Sequence, residues 1–122
     1  KLAANPNKLE IIGTGLQSRD FVHISDVVDA LVTVGSDDST NGKVYNLGFG
    51  KTIKIIDLAK MILQILNLQD KTDVTTTGVS WQGDINTIWF DISKAKKELK
   101  WNPKVSLEDS IREVIAARKL LK

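Results

Sequence analysis

The stretch GTGLQSRDFVHISDVVDALV, residues 13–32, decides how this chain is read. Two glycines open it, a single arginine precedes an acid, and a β-branched run leads into an apolar helix start. RDFVHI (19–24) alternates, so Phe21 and His23 share one strand face and Val22 and Ile24 the other. Ser25 is suited to cap the following helix, with Asp26 in its first turn at the positive end of the dipole. Val27, Val28, Leu31 and Val34 form the stripe expected to be buried. The Arg19–Asp20 pair has two readings. It is a solvated surface pair, or the turn holds a guanidinium where an anion will sit.

Working outward, LEII (9–12) predicts a short strand closed by the glycine turn. GSDDSTNG (35–42) is a polar loop in which Asp37 and Asp38 serve solvation. KVYNL (43–47) predicts a strand and GFG a tight turn. Ile55, Leu58, Ile62, Ile65 and Leu66 recur at helical spacing and predict a helix over 55–66. DVTTT (73–77) is β-branched and reads as a strand, followed by a loop, GVSWQGD (78–84). DISKAKKEL (91–99) predicts a short helix with Ile92, Ala95 and Leu99 inward, ended at Trp101-Asn102-Pro103. Ser106 and Asp109 make a capping-box-like start to a helix reaching about Lys119, burying Leu107, Ile111, Val114 and Ile115. Strands and helices alternate, which predicts an α/β chain.

The 122 residues suffice for one domain or part of a larger one. Seventeen basic and fifteen acidic residues leave a net charge of +2, too even for a nucleic-acid footprint. Lys94, Lys96, Lys97 and Lys100 are interleaved with Glu98 and read as a solvated helix face. The absence of cysteine removes disulfides, thiolate metal sites and a cysteine nucleophile. With His23 the only histidine, two-histidine metal patterns are excluded and a Ser-His-Asp site is not expected; His23 itself reads as structural. No apolar run approaches the ~20 residues of a membrane span, and no signal-peptide pattern is present. A cytoplasmic protein is expected, with neither nucleic acid nor membrane as partner.

Two glycine motifs are decoys. GFGKT (48–52) has the end of a phosphate loop, but Tyr45 stands where the first glycine of that motif belongs. GTG (13–15) lacks the third glycine of the dinucleotide fingerprint and runs into a strand, so no helix N-terminus faces a pyrophosphate.

Three stretches in order carry a resemblance: GLQSRDFVHISDVVDAL, VYNLGFGKTIKIIDLAKMI and GDINTIWFDISKAKKELKWNPKVSLEDSIRE. Together, from Leu9 to Glu113, they resemble the C-terminal part of extended short-chain dehydrogenase/reductases. More narrowly, they resemble nucleotide-sugar epimerases and dehydratases of the UDP-glucose 4-epimerase type. The resemblance implies the fold class: the C-terminal part of a Rossmann-type α/β enzyme, mixed strands and helices forming the substrate-binding lobe over residues 1–122. It implies NAD as cofactor, bound by an N-terminal half with a glycine-rich loop and a catalytic Tyr-x-x-x-Lys pair. Neither motif occurs in this sequence, and Phe49 lies four residues after the one tyrosine, Tyr45. No catalytic, cofactor-binding or metal-binding residue is therefore expected here, and the chain alone is expected to be inactive. The opening KLAANPNK, which looks like the tail of a helix, fits the same expectation of a missing first half.

The resemblance also implies a role for Arg19, which matches the arginine that contacts the nucleotide diphosphate. A guanidinium suits that task, being a permanently charged, rigid fork of donors. Gln17 is a neighbouring candidate on the same turn, and Asp20 is expected to orient Arg19 or to cap local amides. Trp81, in SWQGD, departs from the family, whose members usually carry an arginine at that place; it can stack on a ligand but supplies no charge. Loss of such a charge-assisted contact weakens anion binding by about 1.5–3 kcal/mol. Asp84 of the same loop reads as structural. Lys54 replaces a helix-capping serine, at a local cost in stability. The expected partners are a nucleotide sugar, the chain's own N-terminal half and, through exposed apolar surface, a second copy. Epimerase is the leading reading, with a 4,6-dehydratase or a non-catalytic sugar-nucleotide binding or packing module as alternatives.

Overall fold

Lys8–Ile11 (β1) pairs in parallel with Asp73–Thr76 (β4), Leu9 opposite Val74 and Ile11 opposite Thr76. Parallel strands need a long crossover, which here runs from residue 12 to residue 72. Ser18–Asp20 (β2) pairs antiparallel with Thr52–Lys54 (β3), Arg19 opposite Ile53, and Ser18 also bridges to Thr87. The helices are Ile24–Gly35 (α1), Ile55–Ile65 (α2), Ser93–Glu98 (α3) and Leu107–Ala117 (α4). The computed structural model describes residues 1–118, so Lys119, the expected end of the last helix, lies outside the described residues.

One core gathers Ala30 of α1, Ile92, Ala95 and Leu99 around α3, and Trp101. Val22, Val34, Tyr45 and Leu47 pack on its edge. The inward positions expected for α3 are thus the buried ones. Ser106 caps α4 through its hydroxyl, which accepts the Asp109 N–H at 3.0 Å, while Val114, expected inside, is exposed. α2 and α4 pack together, and with Phe21, His23 and the first residues they frame an open apolar groove of about 640 Å³.

Four further expectations need correction. The strand expected over 19–24 pairs only as far as Asp20, and KVYNL (43–47) is not a strand at all. Both segments are unpaired there, because a strand exists only where a neighbour's edge meets it. In α1 the buried positions are Asp26 and Ala30, whereas Val28 and Leu31 of the expected stripe are exposed. An apolar ridge of Ile24, Val28, Leu31 and Val32 therefore faces outward. The N-cap of α1 is His23, not Ser25; its ring accepts the Ser25 N–H.

Candidate functional site

The turn between β1 and β2 is shaped by its glycines. Gly13 and Gly15 have φ of +86° and +77°, a region in which a side chain is strained. A Cβ on Gly13 would also run into the Gln17 carboxamide, and one on Gly15 would lie 3.2 Å from Ile56 Cβ. Gln17 consequently folds back under the turn, only 7% exposed, and α2 closes against it. The Ile55 and Ile56 N–H groups donate to the carbonyls of Gln17 and Gly15, each at 2.9 Å. These carbonyls satisfy amides of the first helical turn, and the Lys54 side chain makes no cap bond.

β2 carries Arg19 out of this turn. Its Nη1 donates to the carbonyls of Ser18 at 2.9 Å and Ile85 at 2.7 Å, and its Nη2 donates to Asp84 Oδ1 at 2.8 Å. A guanidinium has five N–H donors. Its Nε–H and the second N–H of Nη2 meet no acceptor among the described residues. The other Asp84 oxygen, Oδ2, accepts from Ser80 Oγ and from Gln17 Nε2, the latter at 3.4 Å. Gln17 Nε2 also donates to the Ile12 carbonyl at 3.0 Å, while its Oε1 is buried without a partner. The Ser80 hydroxyl first, then Gln17 and the Arg19 charge, hold the Asp84 carboxyl below its ordinary value against the opposing pull of desolvation.

Arg19, Gln17 and Trp81 line one cleft of about 400 Å³, whose walls include Leu9, Ile12 and Leu58. All three residues expected at a ligand are thus brought together. Arg19 is one-fifth exposed (21%), whereas the Asp84 side chain is at 5%; Trp81 is largely exposed. Asp20, the sequence neighbour, does not orient Arg19. Its carboxylate accepts the Phe49 N–H at 2.7 Å and the Gly50 N–H at 3.0 Å, the amide-capping role. A Cβ on Gly48 would sit 2.7 Å from Asp20 Oδ2, which explains the glycine. The residue that pairs with Arg19 is Asp84, 65 positions away. Its only sequence signal was the Gly-Asp of the later loop.

The remaining candidates are structural. His23 accepts the Ser25 N–H through Nδ1 at 3.3 Å and sets Nε2 3.1 Å from Glu113 of α4, tying two helices together. No cluster able to hold a metal ion occurs among the described residues. A nicotinamide dinucleotide needs a glycine loop between a strand and a helix N-terminus. Here the turn at 13–15 leads into β2 and the turn at 48–50 leads into β3, its amides spent on Asp20. Neither turn has the strand-to-helix form that this loop requires. Nor is any described helix long and apolar enough to cross a membrane.

Solved structures define the class. The UDP-glucose 4-epimerase of Thermotoga maritima, determined with UDP-glucose, superposes with a TM-score of 0.80 at 27% identity, covering 99% of this chain and 38% of that one. MoeE5 in complex with UDP-glucuronic acid and NAD gives 0.79 at 26% identity, covering 95% and 38%. The fold is that of Rossmann-type, NAD-dependent extended short-chain dehydrogenase/reductases that work on sugar nucleotides. Residues 1–114 match the GDP-mannose 4,6 dehydratase family, and the chain belongs to it.

Among curated relatives, a UDP-glucuronate 4-epimerase of Thermodesulfobacterium geofontis is 32% identical over 88% of this chain and 32% of its own length. A dTDP-D-glucose 4,6-dehydratase of Mus musculus is 30% identical over 93% of this chain and 33% of its own. The chain thus spans about one third of the length of these relatives.

Proposed function

We propose that this chain is the substrate-side part of an NAD-dependent enzyme that remodels nucleotide sugars, and that its cleft receives the ligand's diphosphate. Arg19 offers a phosphate oxygen its two unspent donors, Gln17 floors the cleft, and Trp81 lies against the sugar or base. The observation that carries this reading is the convergence of these three residues on one cleft with two guanidinium donors left over. Epimerisation is the preferred reaction, since the T. geofontis relative is an epimerase. The mouse relative, a 4,6-dehydratase, favours the second reading. Hydride transfer and proton transfer belong to a Rossmann half bearing the cofactor loop and the Tyr-x-x-x-Lys pair. That half docks on the outward apolar ridge of α1, beside the unpaired segments at 21–23 and 43–47. By itself the chain binds and does not turn over.

Titration of the chain with UDP-glucose by calorimetry tests the reading. Wild type is expected to release binding heat, and Arg19→Ala to weaken the affinity about tenfold or more, as loss of a charge-assisted contact requires. Equal behaviour of the two proteins overturns it.

A further inference from the structure

A carboxylate beside an anion site is electrostatically adverse, because it repels the ligand that the site serves. Asp84 is nonetheless nearly buried against Arg19, with both oxygens engaged by Ser80, Gln17 and the guanidinium. Its neighbour Ile85 lends a carbonyl to Nη1, as does Ser18. These acceptors immobilise three of the five guanidinium donors and leave Nε–H and one Nη2–H, on adjacent nitrogens, for a ligand. We infer that Asp84 is the positioning residue of the cleft, anchoring Arg19 so that its two remaining donors are presented together to a phosphate. The inference rests on the function proposed above and assigns the geometry of that site to the 80–85 loop. A fixed fork loses less freedom on binding than a mobile one. Gln17 and Ser80 act through Asp84, holding its carboxylate in place.

The sign of one measurement separates positioning from a merely structural role. Asp84→Asn removes a negative charge near the ligand, so without positioning its effect is tighter binding of inorganic pyrophosphate. Positioning demands the opposite, affinity about tenfold weaker than wild type, in a protein whose circular dichroism and melting stay cooperative. Ser80→Ala keeps the charge and removes one anchor of Asp84. It is expected to weaken pyrophosphate about threefold, within the range of one lost hydrogen bond, and it decides the matter if Asp84→Asn does not fold. Unchanged or tighter binding in a folded Asp84→Asn, or unchanged binding in Ser80→Ala when the first variant is unfolded, overturns the inference. If wild type binds and Arg19→Ala does not, such a result overturns the role of Asp84 alone. If wild type binds neither pyrophosphate nor UDP-glucose, the cleft is not an anion site and both readings fall.

Discussion

Trp101 donates its indole N–H to the backbone carbonyl of Asp26 at 2.8 Å, while the Asp26 carboxylate accepts the N–H groups of Lys104 and Val105 at 3.0 and 3.1 Å. Two segments more than 70 residues apart are thereby joined by three hydrogen bonds, each accepted by Asp26. Asp26 is the most deeply buried charged residue described, at 1% exposure, and Trp101 belongs to the core. A carboxylate so placed persists only if its hydrogen bonds are made.

Asp26→Ala leaves two amides without their acceptor and opens a space beneath α1. A loss of about 3 kcal/mol is expected from bonds to a charged group, read as a lower denaturant midpoint. Trp101→Phe keeps the ring packing and loses one N–H bond, so about 1 kcal/mol is expected. Equal effects from the two substitutions contradict this account.

Acid stability follows from Asp84. Its carboxyl is held below the ordinary value of 3.8 by Ser80 first, then Gln17 and Arg19. A carboxyl with a lowered native pKa contributes stability that is present above the unfolded value and lost as pH falls through the native one. Unfolding followed from pH 6 downward is expected to show this loss below about pH 4. Asp84→Asn is expected to flatten that limb. The limb includes Glu98, lowered chiefly by Lys43 and next by Tyr45, so flattening is partial.

Gly13→Ala tests the turn. The added Cβ meets the Gln17 carboxamide at a φ that alanine adopts with strain. A cost of about 1–2 kcal/mol is expected, together with loosening of the Gln17–Asp84 contact and weaker pyrophosphate binding. Gly42→Ala shares the positive φ but meets nothing within 4 Å, so stability falls without any change in affinity.

The outward ridge of α1 is expected to drive concentration-dependent self-association of the isolated chain. Leu31, 61% exposed, is its middle. Leu31→Lys is expected to shift sedimentation at high concentration toward monomer without lowering the melting temperature. A wild-type chain that remains monomeric throughout removes the ridge as an association surface.

What the sequence disclosed, and what it hid, divides along a physical line. α2, α3 and α4 were legible because helical spacing and caps are local, as the Ser106–Asp109 pair illustrates. β1 and β4 were legible as segments, within a residue of their ends, though nothing local announced that they pair in parallel. RDFVHI and KVYNL carry strand-like residues, yet Phe21–His23 and Lys43–Leu47 find no partner edge. Pairing is a property of two segments and cannot be read from one. In α1 the apolar pattern pointed to the wrong face: Asp26 and Ala30 take the buried side, while Val28 and Leu31 are exposed. At the cleft, Arg19, Gln17 and Trp81 were singled out by the family resemblance rather than by any local pattern, and the structure sets all three on one cleft. The Asp84 contact was not, since Asp20 was the acid next in line.

The bonds from Ile55 and Ile56 to the carbonyls of Gln17 and Gly15 make the cationic turn and the head of α2 a single mechanical piece. The guanidinium itself is held from the other side, by Ile85 and Asp84. Leu58 and Ile62 of the same helix line both the cleft and the apolar groove, so one helix serves as a wall shared by the two hollows.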